Sequence, residues 1–226
     1  MPTLILAILA FIAAHVIPAY RPLREKLIAV LGRRGYLAAY MALSLALLAW
    51  VAIAYTQAPY VEVWTQTPWM RWVPNLVMPV AFILLAASLI LPNPFSLAVR
   101  TKGFDPKRPG LLAVTRHPLM WAVSLWAGAH MAPNGDVASL MLFGLLCALG
   151  LAGPIILDAK YKKRLGQEAW ERLTRRTSSV PFVALLRGRA DWVFDGRDAV
   201  TAALGILFYV GFLHVHVYLI GVSPLP

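Results

Sequence analysis

The sequence predicts an all-α bundle of about six membrane-spanning helices, with one further amphipathic helix at the membrane surface. Three observations predict it. The 226 residues are 60% hydrophobic and only 14% charged, with a mean hydropathy of +0.68, outside the composition of soluble globular domains. Apolar runs near the roughly 20 residues needed to cross a bilayer recur at 3–20, 36–55, 73–91, 118–132, 137–157 and 199–222. Every Lys and Arg except Arg71 falls in one of three stretches between those runs, at 21–34, 100–116 and 160–197. That alternation is expected when every other loop faces the cytoplasm.

The first run holds no Lys or Arg, so it lacks the charged start of a signal peptide and reads as an uncleaved first helix. Six spans put both termini on the side opposite the basic stretches. The outer segment 56–72 holds Tyr60, Trp64, Trp69 and Trp72, as an interfacial aromatic belt does. Pro79 and Pro154 fall inside spans three and five and are expected to kink them, with neighbouring helices satisfying the freed carbonyls. The fourth run is short and is expected to borrow a turn from 111–114. The sequence Ala132-Pro-Asn-Gly-Asp136 is a tight turn, so spans four and five form a helical hairpin. Within 158–176, Tyr161, Leu165, Ala169 and Leu173 repeat every four residues, with Trp170 beside them. This apolar stripe predicts an amphipathic helix on the inner leaflet; a solvated extension of span five is the alternative.

The net charge of +11 is read as attraction to anionic membrane lipids rather than to nucleic acid, because it borders apolar spans and no nucleic-acid motif accompanies it. The single Cys147 excludes an internal disulfide or a Cys-based metal site and is expected to pack. The ten acidic residues, among them Asp105, Asp136, Asp158, Asp195 and Asp198, are expected in loops or at helix ends. Proton- or ion-coupled carriers usually need a carboxylate in mid-membrane, and carboxylate-bridged di-iron sites need several inward Glu residues. Both classes are disfavoured. Residues 1–226 read as one membrane domain.

Histidines supply the polar chemistry of the spans: His15 in span one, His117 and His130 bracketing span four, His214 and His216 in span six. Neutral imidazoles are tolerated in lipid more easily than charges and ligate haem iron or metals well. At 100° per residue, His117 and His130 stand about 140° apart and His214 and His216 about 160° apart, so neither pair shares a helix face. At 1.5 Å per residue, His15 lies roughly 18 Å from the outer end of its span and His130 about 3–5 Å from the outer end of its own. His214 and His216, roughly 9–12 Å deep on the same measure, match His130 in depth more closely. The densest motif is Gly110-Leu-Leu-Ala-Val-Thr-Arg-His-Pro-Leu-Met-Trp121, where Pro118 suits the first turn of a helix. Arg116 and His117 are then expected at the inner mouth of the bundle, aimed at headgroups or an anionic ligand.

Thr115-Arg-His-Pro-Leu-Met-Trp121, Ala129-His130, Asn134-Gly-Asp136, Asn93-Pro-Phe-Ser-Leu97 and Arg175-Arg-Thr-Ser-Ser-Val-Pro-Phe182 ahead of Gly188-Arg189 resemble the NnrU family of membrane proteins from end to end. The resemblance implies a bacterial inner-membrane protein with periplasmic termini, associated with denitrification and the metabolism of nitrite and nitric oxide. Plant zeta-carotene isomerases, which resemble the same family, imply haem b with His15 and His130 as axial ligands. They also imply an isomerase- or redox-type activity on a lipophilic substrate. A more distant resemblance to isoprenylcysteine carboxyl methyltransferases implies instead an S-adenosylmethionine site. It would be formed by Arg116, His117 and the segment Asp158…Leu165-Gly166…Trp170…Pro181-Phe182, in which Asp158 replaces the usual leading Glu and Trp170 replaces Tyr. A non-catalytic assembly factor for a membrane reductase is the third possibility.

Overall fold

In the computed structural model, residues 1–17, 20–96 and 102–226 are described. Residues 18–19 of the first predicted span, Leu97 of the family motif and Arg100 of the second basic stretch lie outside the described residues. A helix stands at each of the six predicted span positions. In chain order the helices are α1 (Pro2–Val16), α2 (Arg21–Thr56), α3 (Trp72–Ile90), α4 (Pro118–Met131), α5 (Val137–Leu165), α6 (Gln167–Thr174), α7 (Val183–Leu186) and α8 (Gly196–Ile220). Two 3₁₀ turns, Pro68–Arg71 and Gly110–Ala113, precede α3 and α4. Among the described residues there is no strand, only an isolated antiparallel bridge between Glu62 and Asp136.

Among the described residues, four segments are long and apolar enough to cross a membrane: Pro22–Thr56, Pro68–Ile90, Val137–Leu165 and Gly196–Ile220. The exposed faces of α8, including Leu207, Phe208 and Val215, are what a helix presents to lipid. The other two predicted spans are shorter. At 1.5 Å per residue the 15 residues of α1 reach ~22 Å and the 14 of α4 reach ~21 Å, less than the ~30 Å of a hydrocarbon core. Nor does α4 borrow its turn from 111–114. His117 takes φ −120° and ψ 57°, because the ring of Pro118 disfavours helical geometry in the residue before it.

The helices group into two compact units, Met1–Trp64 with Gly135–Leu142, and Thr65–Asn134 with Phe143–Pro226. In the first, α1 packs on α2 and buries Leu4, Ala7 and Ile8. Gly32, at φ 67° and ψ 162°, interrupts α2 in a conformation that only glycine adopts freely. The break falls within the basic stretch, after Arg21, Arg24 and Lys26 and before Arg33 and Arg34. Residues 61–64 lie along 135–137, with Val63 N–H donating to the Gly135 carbonyl at 2.7 Å and Val137 N–H to that of Val61 at 2.9 Å.

In the second unit α3 runs antiparallel to both α4 and α8. Asn93, just past the end of α3, donates through Nδ2 to the Arg116 carbonyl ahead of α4 at 2.8 Å. Along α8, Gly205 lies against the backbone of Ile83, where a Cβ would come within 2.6 Å of Cα. Small residues allow such close approach between membrane helices. The expected α4–α5 hairpin is present: Gly150 lies against Ser124 and Gly153 against Met120. The amphipathic stripe at 158–176 is split in two, because Gly166 at φ 81° ends α5. Residues 158–165 therefore extend α5, while α6 buries Trp170 and Thr174 and exposes its charges.

Proline 79 shows how the bundle satisfies freed backbone groups. A proline has no N–H for the carbonyl four residues earlier, here that of Asn75. The Tyr209 hydroxyl on α8 donates to that carbonyl at 3.2 Å. The Tyr209 ring also packs against Phe82, centroids 6.1 Å apart. Tyr209→Phe keeps the ring and removes only the replacement donor. It is expected to lower stability by about 1–3 kcal/mol, the cost of an unsatisfied buried acceptor, measured by unfolding in detergent.

Candidate functional site

Two features of the second unit gather its polar and aromatic chemistry. The first is built from the residues around Pro118. Because residues 115–117 are not helical, their backbone is free to pair with the segment 177–182. Arg116 N–H donates to the Ser178 carbonyl at 2.9 Å and Phe182 N–H to that of Val114 at 2.8 Å. The Thr115 hydroxyl and the Trp121 indole N–H both donate to the Ser179 carbonyl, at 3.0 and 2.9 Å. The Arg175–Phe182 motif is thus a strap laid across the entrance to α4.

Arg116 turns inward from this strap. Its Nε and NH2 groups donate to Oδ1 and Oδ2 of Asp158 at 2.9 and 2.7 Å, the fork-on-carboxylate geometry that makes Arg–Asp pairs strong and directional. The guanidinium also lies 5.3 Å from the Trp170 ring centroid, within cation–π range. His117, fully buried, donates from Nε2 to Asp158 Oδ1 at 2.7 Å. Its Nδ1 is buried and has no partner among the described residues. Tyr161, one turn beyond Asp158, donates to the Ser96 carbonyl at 3.3 Å. Phe95 is fully buried and meets Trp170 edge-on at 5.9 Å.

Arg116 and His117, expected to aim at headgroups or an anionic ligand, instead both meet Asp158, the residue with which the methyltransferase resemblance groups them. Asp158 itself is not at a helix end; α5 continues seven residues beyond it. Three contributors were not expected at this site, although Asn93 and Thr177 stand within motifs that carry the family resemblance. Asn93 holds the Arg116 carbonyl. Thr177 accepts from Arg116 NH1 at 3.4 Å. Asp198, at 1% exposure, accepts from Leu111 N–H and the Trp192 indole, each at 3.0 Å, and so ties the 3₁₀ turn to α8. These partners lie 23, 61 and 87 residues from the groups they hold, separations that no local pattern encodes.

The second feature is an apolar cavity of about 450 Å³ among α3, α4 and α8, lined by Phe82, Leu85, Val123, Trp126 and Phe212 among others. A volume of that order is typical of small-molecule sites. His130 follows Trp126 by one turn, with ring centroids 5.7 Å apart, and also packs on Phe143 at 5.4 Å. Its Nδ1–H donates to the Trp126 carbonyl at 2.7 Å, which leaves the Nε2 lone pair free. His216 bears the same relation to Phe212, at 6.1 Å, with Nδ1–H on the Val222 carbonyl at 2.8 Å. His214 Nδ1–H is held on Val210 at 2.7 Å. In the first unit, His15 Nδ1–H donates to the Phe11 carbonyl at 2.7 Å and its ring packs on Phe11 and Tyr40. Among the described residues no group of three or more His, Cys, Asp or Glu side chains converges as a metal cage would.

The model of the NnrU protein family matches residues 3–224, and the chain belongs to that family. It is similar to the chloroplastic 15-cis-zeta-carotene isomerase of Zea mays, 27% identical over 191 residues, 82% of this chain and 51% of the maize protein. It is also similar to the isomerase of the same name from Arabidopsis thaliana, 33% identical over 123 residues, 52% of this chain and 31% of that protein. The chain therefore spans about half the length, or less, of these curated relatives. No solved structure matches it.

The Arg116–Asp158 pair yields a direct test. The Arg116 side chain is only 11% exposed, so Asp158→Ala leaves a nearly buried charge uncompensated. The expected cost is about 3–5 kcal/mol of stability. The double variant Arg116→Ala/Asp158→Ala is expected to be less damaged than the sum of the two singles. Strict additivity in that double-mutant cycle would show that the pair is not coupled.

Proposed function

We propose that this NnrU protein binds haem b in a bacterial cytoplasmic membrane and acts on a lipophilic substrate. An isomerase-type reaction on a long unsaturated hydrocarbon is the form suggested by the names of its plant relatives. The observation that carries the reading is the state of His130 beside the apolar cavity. An imidazole whose Nδ1–H is committed to a carbonyl has a fixed tautomer, a fixed ring direction and a more basic Nε2, the usual condition of a metal-ligating histidine. His130 meets this condition, and Trp126, whose tilted ring neighbours it, lines the cavity. His15 meets it too, and the family resemblance names it as the other axial ligand. The donor chemistry therefore fits haem.

Haem held by imidazoles supplies an iron centre whose potential follows its axial ligands and the dielectric around it. The protein's own contribution is separate. Phe82, Leu85, Val123, Trp126 and Phe212 offer an apolar substrate an apolar cleft, and burial of such surface is worth about 25 cal/mol per Å². Trp126 links that cleft to the imidazole, because it forms part of the wall and fixes His130 through its carbonyl. In this reading the basic stretches face the cytoplasm, both termini face the periplasm, and the physiological setting is the nitrite and nitric oxide metabolism associated with the family.

One observation supports a second reading. The buried Nδ1 of His117 lacks a partner among the described residues, so a methyltransferase-like S-adenosylmethionine site at Arg116, His117 and Asp158 retains one unused polar group. Such a site would have to part Arg116 from Asp158. Calorimetry with S-adenosylmethionine that gives no binding heat at millimolar ligand removes this reading. For the leading one, the detergent-purified protein reconstituted with haem b should show a Soret band, and His130→Ala should lose or shift it. A folded protein that stays colourless after reconstitution contradicts the haem proposal.

A further inference from the structure

We infer that the segment 180–195 is an interfacial foot that seats the second unit in an anionic lipid leaflet, with its exposed apolar side chains among the headgroups and the flanking arginines on lipid phosphates. The inference is independent of the haem reading.

The surface stripe expected at 158–176 does not serve this purpose, because α6 turns Trp170 inward and exposes its charges. The exposed apolar surface lies further along the chain. Helix α7 is fixed from one side, where the fully buried Ala184 packs with Ala113 and Ala190. At 100° per residue, Phe182 and Leu186 each stand about 160° from Ala184 and about 40° from each other. They share the face opposite the packed one, and Leu186 is 83% and Phe182 51% exposed. Phe182 is also strained. Its φ of 65° is a left-handed conformation that glycine adopts freely and a bulky side chain does not. The strap holds it there through the Phe182 N–H on the Val114 carbonyl. A strained phenylalanine with its ring half exposed gains little inside the fold, so its gain lies with whatever covers it.

A second apolar patch stands at the start of α8. Trp192 donates its indole N–H to the buried Asp198 at 3.0 Å, and its ring meets Phe194 edge-on at 6.2 Å. Val193 and Phe194 are exposed directly ahead of a helix long and apolar enough to span a membrane, the position of an interfacial aromatic belt. The 3₁₀ turn Gly110–Ala113 joins the two patches, because Leu111 N–H holds Asp198 and Ala113 packs on Ala184.

Two observations select a bilayer over a soluble partner. The second patch continues into the exposed apolar residues of α8, beginning with Val200, so one lipid phase covers both. Arg175, Arg176, Arg187, Arg189 and Arg197 are exposed in and beside the segment and outnumber the exposed Asp191 and Asp195. None of these arginines pairs with a carboxylate among the described residues. Anionic headgroups complement that excess, and a surface of aromatic, aliphatic and arginine side chains settles at the boundary of headgroup and acyl chain. The strap 177–182 ends in Phe182, so it cannot lift from the entrance to α4 without drawing that ring out of the lipid.

The test uses the full-length protein in vesicles of phosphatidylcholine alone or of an equimolar mixture with phosphatidylglycerol. In a Cys147→Ser background, Leu186→Cys, Val193→Cys or, on the charged face of α6, Glu168→Cys carries an environment-sensitive fluorophore. Near-ultraviolet circular dichroism confirms that each variant is folded. At 186 and 193, brominated lipid is expected to quench the label, and acrylamide to quench it about threefold less than at 168. Bromolipid quenching is expected to be stronger in the phosphatidylglycerol mixture, and Arg187→Gln/Arg197→Gln to abolish that difference. Labels at 186 and 193 as open to acrylamide as the label at 168 overturn the proposal and leave the patch to a soluble partner. Labels shielded from acrylamide but untouched by brominated lipid overturn it in favour of a second copy of the chain. Equal quenching in the two lipid compositions removes the anionic leaflet and overturns it as well.

Discussion

The Arg116–Asp158 ion pair is the interaction on which the second unit depends, because it compensates a full charge that is largely withdrawn from solvent. A guanidinium in such a place must find a carboxylate with matching geometry or be expelled. Asp158 supplies it from α5 through two contacts of 2.9 and 2.7 Å, and the same carboxylate fixes the His117 ring. From that point the dependence spreads outward. With the side chain drawn inward, the Arg116 backbone is left to pair with Ser178 and Asn93. The strap 177–182 and the loop after α3 are therefore both held at the entrance to α4. Pro118 makes this possible by keeping residues 115–117 out of the helix.

The same demand for internal satisfaction explains features far from that pair. Within an apolar surrounding each backbone or side-chain polar group needs a protein partner. The Asn75 carbonyl, bereft of its helical donor by Pro79, has the Tyr209 hydroxyl. The buried Asp198 has a backbone amide and an indole. Each histidine of α1, α4 and α8 returns its Nδ1–H to a nearby carbonyl. That local habit lowers the cost of an imidazole in the membrane. It also leaves Nε2 available, so an economy of hydrogen bonding produces a ligand. His117 is the exception, since its Nε2 is spent on Asp158 and its Nδ1 is the free atom.

Much of the architecture was legible in the sequence, because hydropathy and charge alternation report on one segment at a time. They located a helix at each of six positions, the turn at 132–136 and Pro118 in the first turn of α4. The helices α1 and α4 fall close to the runs expected at 3–20 and 118–132, but at 15 and 14 residues they are short for a full crossing. Hydropathy joined 158–176 into one helix, although Leu165-Gly166 carries the glycine that commonly ends helices. Partners across large sequence separations were not legible from local pattern, and only the methyltransferase resemblance grouped Arg116 and His117 with Asp158. Arg116 and Asp158 lie 42 residues apart, Leu111 and Asp198 87, and Asn75 and Tyr209 134, and no local period encodes such pairings. The motifs at 93–97, 115–121 and 175–182 were visible as strings; their common purpose, the closure around Arg116, emerges only when they are folded together.

Function in this account rests on His130 as an axial ligand set beside an apolar cavity. The most direct measurement is the pyridine haemochrome spectrum of the protein isolated from native membranes without added haem. A b-type spectrum that copurifies with the folded chain, and is absent from His130→Ala isolated in parallel, is the predicted result. A folded wild-type chain isolated without haem, from cells with ample haem supply, would contradict it.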